Sequence, residues 1–453
     1  MAAPVVSGAI AVLMDLFPSL TPQKILTRMF TTATDGGIYA DSTIFGHGLL
    51  NLSSASGPIG SLSIAEGASI YGPGYDITQS KIDLGAAFGD GLRTSLGDQA
   101  LAVFDGFDGA TFYVNAGSFV LPKALAPSAQ DRLSWFGRSN VTETHTIAGG
   151  EITQSFAASP NPDGTQEIDS VRLSFETRHD LGVELSLGSK PSEEFGLHGQ
   201  AMVGSDMLAG PDALEVPYLS FLDGGLGAVV KSSGGSRFGG YLTQSGPEGL
   251  NALGAVLEMN GQFGERLGAA LLLGLLQEKD TILGSATQGA FASDQNTLTN
   301  FMGMSWKYSM DSRTEVIGSY HLGFSYPSPA NGSIFTSFSK IKTRAASLAI
   351  ATLDVFSEGD RLGFIASQPI RVEQGTATLS MTTGRDLAGN VSRTPLTAKL
   401  EPTGREQDFE AFYRMPLGAQ TSLNTSALLR LDPGHSAHTE RDAVFLLRLQ
   451  TAL

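Results

Sequence analysis

Val316-Ile317-Gly318-Ser319-Tyr320-His321-Leu322-Gly323-Phe324-Ser325-Tyr326 sets Val316, Gly318, Tyr320, Leu322, Phe324 and Tyr326 at every second position. A period of two places these residues on one face of an extended chain. Upstream, beyond the turn Met310-Asp311-Ser312-Arg313, the same spacing holds for Met302, Met304, Trp306 and Tyr308. Earlier still it holds for Leu267, Ala269, Leu271, Leu273 and Leu275, and for Leu253, Ala255, Leu257 and Met259. The pattern begins after Ile168. There Val171, Leu173 and Phe175 alternate with Arg172, Ser174 and Glu176, and past His179-Asp180 the residues Leu181, Val183, Leu185 and Leu187 alternate with Gly182, Glu184 and Ser186. Two such segments in sequence make a hairpin with one apolar and one polar face. Downstream the run closes with Leu423, Thr425, Ala427, Leu429 and Leu431, then Ala443, Phe445, Leu447, Leu449, Thr451 and Leu453.

About twelve to fourteen segments of this kind fill about 285 residues, most of them near the ten residues or so that a tilted membrane-crossing strand needs. Trp306, Tyr308, Tyr320, Phe324, Tyr326, Phe412 and Tyr413 fall toward strand ends, where an interfacial girdle belongs. Short turns such as 310–313 alternate with longer loops such as Gly384 to Pro395. The fold class expected is mainly β, with a C-terminal antiparallel β-barrel of about 12 strands and outer-membrane type. A soluble β-sandwich or β-helix would show the same alternation, with the apolar side inward. The number of consecutive hairpins without an intervening core-type apolar run favours the barrel.

Composition narrows the function classes. The chain has 453 residues, a formal net charge of −16, only 29 Lys and Arg, and no cysteine. Nucleic acid is therefore not an expected partner, and neither disulfides nor thiolate metal sites can form. Leu267 to Leu276 is the longest strongly apolar stretch, about half of what a membrane-spanning helix requires. No signal peptide is recognised, because the N-terminal apolar segment lacks a basic leader.

Residues 1–56 follow a different rule. Val6, Ile10, Leu13 and Phe17 recur at helical spacing, and Ala2, Ala3, Gly8, Ala9 and Ala11 keep the other faces small, which predicts a buried helix ended by Pro18. A second helix is expected with Thr21 as N-cap, Pro22 at its first position, and Ile25, Leu26, Met29 and Phe30 as its apolar stripe. Residues 57 to about 165 are glycine-rich with short apolar runs such as Ala100 to Phe104, separated by Asp105-Gly106 and Asp108-Gly109, and read as a β-rich spacer. A short helix from Ser128, with Ala129, Leu133 and Phe136 on one face, and a polar linker over 150–166 complete that reading. The division expected is 1–56, 57–167 and 168–453.

Met1-Ala2-Ala3-Pro4, the helix that follows, the Pro22-started helix, the Thr31-Thr32-Ala33-Thr34 exit and Gly46-His47-Gly48-Leu49-Leu50-Asn51 through Ala55 stand in the order found in subtilisin-like serine proteases. The opening resembles that family's Gly-Thr-Ser-Met-Ala-x-Pro signature, entered at its methionine. The resemblance implies that the nucleophilic serine, the histidine, the aspartate and the oxyanion-hole amide all lie upstream. The chain is thus expected to be a C-terminal fragment with a truncated N-terminus, inactive alone, with no catalytic, cofactor-binding or metal-ligating residues and no cofactor. The 57–167 stretch resembles the spacer of proteobacterial subtilisin-like autotransporters, and 168–453 resembles their translocator barrel, although this chain ends Thr451-Ala452-Leu453 where the family commonly ends in an aromatic residue. Implied partners are a peptide substrate for the complete parent, the outer membrane and the barrel-assembly machinery, at the Gram-negative cell surface. A structural or porin-like barrel, or a soluble β domain appended to a protease, is the competing function.

His47 reads as a turn histidine, Ser7 as a small packing residue, and Asp105 and Asp108 as turn residues without calcium-loop spacing. Asp432, His435, His438 and Glu440 read as a solvated loop, Gly225-Leu226-Gly227-Ala228 as a hairpin turn, and Gly234-Gly235-Ser236 lacks the second glycine of a nucleophile elbow.

Overall fold

The computed structural model describes residues 2–121, 139–147, 150–160, 166–177, 181–196, 216–222, 224–232, 234–243, 251–293, 296–418 and 421–451. Two helices open it, α1 (Ala2–Leu16) and α2 (Pro22–Thr31). The Thr21 side chain accepts a hydrogen bond from the backbone N–H of Lys24, so the predicted N-cap forms. Only one face of α1 is covered. Ala9, Leu13 and Phe17 are buried with Ile25 and Met29 of α2, whereas Ser7, Val5, Val12 and Leu16 are exposed. The expectation of an all-round buried helix, with Ser7 as a packing residue, is corrected accordingly: the described residues supply a partner for a single stripe.

The next segment builds a small antiparallel sheet in the order Gly74–Asp76, Leu62–Ala65, Ala100–Asp105, Thr111–Asn115. After it comes the body of the molecule, a 15-stranded antiparallel sheet in which every strand pairs with its neighbours in chain order, from Ser139–Ile147 to Asp442–Thr451. Its connections alternate between short turns such as 264–266 and 310–313 and long segments such as 188–225, 279–296, 327–340 and 375–406.

Burial decides between barrel and sandwich. Leu271, Leu273 and Leu275 are 52, 48 and 52% exposed, while Leu272, Leu276 and Glu278 on the same strand are 4, 0 and 0% exposed. Across the next two strands Met302, Met304 and Tyr320 face out, while Thr297, Thr299, Ser305, Ser319, His321 and Ser325 are buried. A soluble sandwich buries its apolar face. This sheet exposes it and encloses hydroxyls, glutamates and a histidine, which is the polarity of an outer-membrane-type barrel. No helix among the described residues is long and apolar enough to cross a membrane.

The sheet differs from expectation in several places. Among the described residues it has 15 strands against about 12: 13 begin after residue 165, and Ser139–Ile147 and Gly150–Pro160 precede them. The linker reading of 150–166 is corrected over 150–160. These strands pair through Thr142–Ser155 and Thr144–Thr153 hydroxyls on one face, and on the other Glu143, His145 and Gln154 interrupt Ile152 and Phe156, so alternation could not reveal them. The helix expected from Ser128 lies outside the described residues. The loop from Gly384 to Pro395 is a hairpin of Thr376–Arg385 with Val391–Lys399, joined by Phe335–Phe338. Gly225-Leu226-Gly227-Ala228 opens the strand Leu226–Ser232 instead of making a turn; a Cβ at Gly227 would overlap Ser186 and the Tyr241 ring. Gly234-Gly235-Ser236 is the true hairpin turn, with Gly235 at φ +79°. Phe412 points inward and is buried, since its neighbour Tyr413 holds the other parity.

The interior is packed. Phe195, Val216, Tyr218, Leu219 and Leu222, from the 188–225 connection, are buried with Val229, Val256, Leu272 and Phe301 of the strands. The Tyr218 ring stacks on Phe301 at 4.8 Å, and its hydroxyl lies 2.8 Å from Thr343 Oγ1.

Candidate functional site

The three parts of the chain converge at the long-loop end of the barrel. Innermost is Arg28 on α2, fully buried between the Phe17 and Phe112 rings. Its Nη1 donates to Asp105 Oδ2 at 2.7 Å and to Asp108 Oδ1 at 2.9 Å, its Nε to the Ala55 carbonyl at 2.7 Å, and its Nη2 to the Gly57 carbonyl. Asp105 Oδ1 in turn accepts from the backbone N–H groups of Asp108, Gly109 and Ala110, bracing its own turn. Burial pushes the Asp105 carboxyl up, but Arg28 and the backbone donors outweigh it and hold the group below its ordinary range. Asp108 is shifted up, by burial first and then by the Asp105 charge.

Around this node the spacer meets the loops. Arg385 Nε donates to the Gly109 carbonyl at 2.6 Å, Thr382 Oγ1 to Ala102 O at 2.6 Å, and Arg393 Nη2 to the carbonyls of Ala65, Glu66 and Gly67 at 2.5, 3.1 and 3.2 Å. Asp90 accepts from the Thr403 backbone and hydroxyl and from Ser436 Oγ. Lys81–Asp83 pairs antiparallel with Ser285–Gln288 of the 279–296 connection.

A third layer lies where the loops enter the barrel. Arg405 bridges both Glu373 oxygens at 2.7 and 2.8 Å, Arg430 pairs with Glu406, and the Gly434 N–H donates to Glu406 Oε2 at 2.7 Å. His435 Nδ1 accepts from the Glu406 N–H at 2.9 Å, so Nε2 carries the proton toward the Ile370 carbonyl, also at 2.9 Å. Burial keeps this imidazole below its usual range, and it is neutral at pH 7.

Of the residues singled out in the sequence, Asp105 and Asp108 meet at Arg28, while His47, Ser7 and the 432–440 group stand apart from them. His47 stacks on Phe30 with centroids 4.1 Å apart, and Ser7 stands exposed on α1. The solvated-loop reading holds for His438 and Glu440, but is corrected for His435, which is folded into the barrel mouth. No group of three or more acidic or histidine side chains placed to hold a metal ion occurs among the described residues. Arg28 was missed. Its signal was a charge inside the Ile25, Met29 stripe, which demands a buried acid from elsewhere in the chain.

Residues 1–48 match the subtilase family. No curated protein matches the chain. Among solved structures, the chain is similar to in-vitro folded OmpT, an outer membrane protein of Vibrio cholerae, at 11% identity and a TM-score of 0.42, over 69% of this chain and 88% of that one. It is also similar to an anion-selective porin from Comamonas acidovorans, at 12% identity and a TM-score of 0.40, over 70 and 89%. The chain joins a segment that matches the subtilase family to an outer-membrane-type β-barrel.

Proposed function

We propose that this chain is the C-terminal part of a subtilisin-like serine endopeptidase of autotransporter type, whose barrel sits in the Gram-negative outer membrane and anchors and exports the peptidase. The division 1–56, 57–167 and 168–453 serves as its outline, with the sheet reaching back to Ser139. The observation that carries the reading is the outward apolar face of the sheet, joined in one chain to a segment that matches the subtilase family and packs on the spacer, which in turn meets the long loops. Peptide-bond hydrolysis belongs to the complete parent, since a serine, a histidine and an aspartate in one geometry are needed for acyl transfer. The 453 residues alone are expected to leave casein uncut and to take up no serine-directed fluorophosphonate, while migrating as a heat-modifiable barrel in detergent. Fluorophosphonate labelling would overturn the inactivity, and absence of heat-modifiable migration would overturn the barrel anchor.

A further inference from the structure

We infer that residues 57–121 form a stopper that holds the N-terminal helices on the barrel without the covalent link, so that the N-terminal unit stays bound after the chain is cut between Leu121 and Ser139. A domain merely tethered to a barrel needs no fitted surface. Here the fit is backbone against backbone. A Cβ at Gly85 would overlap the Leu283 carbonyl, one at Gly91 the Glu401 carbonyl, and one at Gly89, at φ +48°, would press on Gly434. Glycine at these three places lets spacer and loops approach closer than any side chain permits. Main-chain pairing then crosses the seam through Lys81–Asp83 and Ser285–Gln288, and again where Ile70 N–H meets Gly389 O at 3.0 Å and Val391 N–H meets Ala68 O at 2.8 Å.

The apolar part of the seam continues into the barrel. Ile82, Leu84, Phe88 and Leu92 of the spacer belong to the same buried cluster as Ile370 and Val372 of the inner face. Exposing that surface on release would return both sides to water, which opposes dissociation. With the direct hydrogen bonds of Arg385, Arg393, Thr382, Asp90 and Ser95 across it, the seam has the apolar centre and polar rim of a stable interface.

The test uses the full chain, refolded in detergent, with a site for a sequence-specific protease engineered between residues 121 and 139. After cutting, the N-terminal fragment is expected to co-elute with the heat-modifiable barrel in gel filtration and to leave only in denaturant. Gly91→Val, or the milder Arg393→Ala, is expected to release it at least about tenfold faster, the equivalent of 1.4 kcal/mol. Separation of the wild-type fragment from a barrel that remains heat-modifiable would overturn this inference and leave the proposed anchor standing. Loss of the heat-modifiable barrel would remove both.

Discussion

Arg28 is a charge held without water, and its worth lies in what its removal would leave behind. Arg28→Met would strand Asp105 and Asp108 in the buried node, at a cost of about 3–5 kcal/mol for an uncompensated buried charge. The expected outcome is faster amide exchange in α2 and in residues 100–115, with the barrel's heat-modifiability unchanged. The pH response follows from the two shifts. Asp105 is depressed, so its contribution is present above the unfolded carboxylate value and is lost as pH falls through its lower folded value. Asp108 is raised, so it takes up a proton first, which relieves its repulsion with Asp105. Exchange protection of α2 should therefore survive mild acid and collapse only below the ordinary carboxylate range. The sequence displayed Asp105 and Asp108 as turn residues; Asp108 lies in the turn and Asp105 closes the strand before it. It could not display Arg28 as their partner, because the pairing spans most of the N-terminal third and exists only once α2 lies on the spacer.

At the scale of the strand, alternation was legible wherever the outward face is apolar, as in Leu267–Glu278 and Thr314–Tyr326. It failed where polar residues interrupt the apolar face, as in Ser139–Ile147. It also could not say which aromatic faces the lumen, because parity between Phe412 and Tyr413 is fixed by pairing register. The structure adds a device that hydropathy does not carry: aromatic rings lie over cross-strand glycines. Phe301 covers Gly274, Trp306 covers Gly318 and Phe412 covers Gly363, each pair directly opposed in register. Gly363→Val would drive the Phe412 ring from its place, and overpacking of this kind costs about 1–3 kcal/mol. The expected readout is an unfolding midpoint at lower denaturant concentration. Leu273→Arg, on the outward face, should cost about 2–4 kcal/mol if the band lies at the bilayer midplane. Folding titrations in lipid vesicles check it, and a Leu273→Arg protein as stable as wild type would contradict a lipid-facing assignment.

For the whole molecule, the filled interior separates an anchor from a channel. Tyr218, Phe195 and Phe301 occupy the lumen, and the loops and spacer cover its long-loop end. Refolded into planar bilayers, the chain is expected to show little conductance beside an open porin of similar strand number, and porin-like steady currents would favour the competing reading. None of this filling was visible beforehand, since residues 216–222 have no periodicity and their burial depends on a cavity that other strands enclose. The order of turns carries one more consequence. The strand Ser139–Ile147 runs away from the long-loop end, and Asp442–Thr451 arrives from the long 432–441 connection. The described strands of the sheet number fifteen, an odd count, so Ser139 and Thr451 lie at opposite ends of the barrel. Leu121 pairs beside the loops, so the handover from spacer to first strand starts and ends on the same side. Spacer and first strand thus both open on the long-loop side, above a lumen that Tyr218 and its neighbours fill.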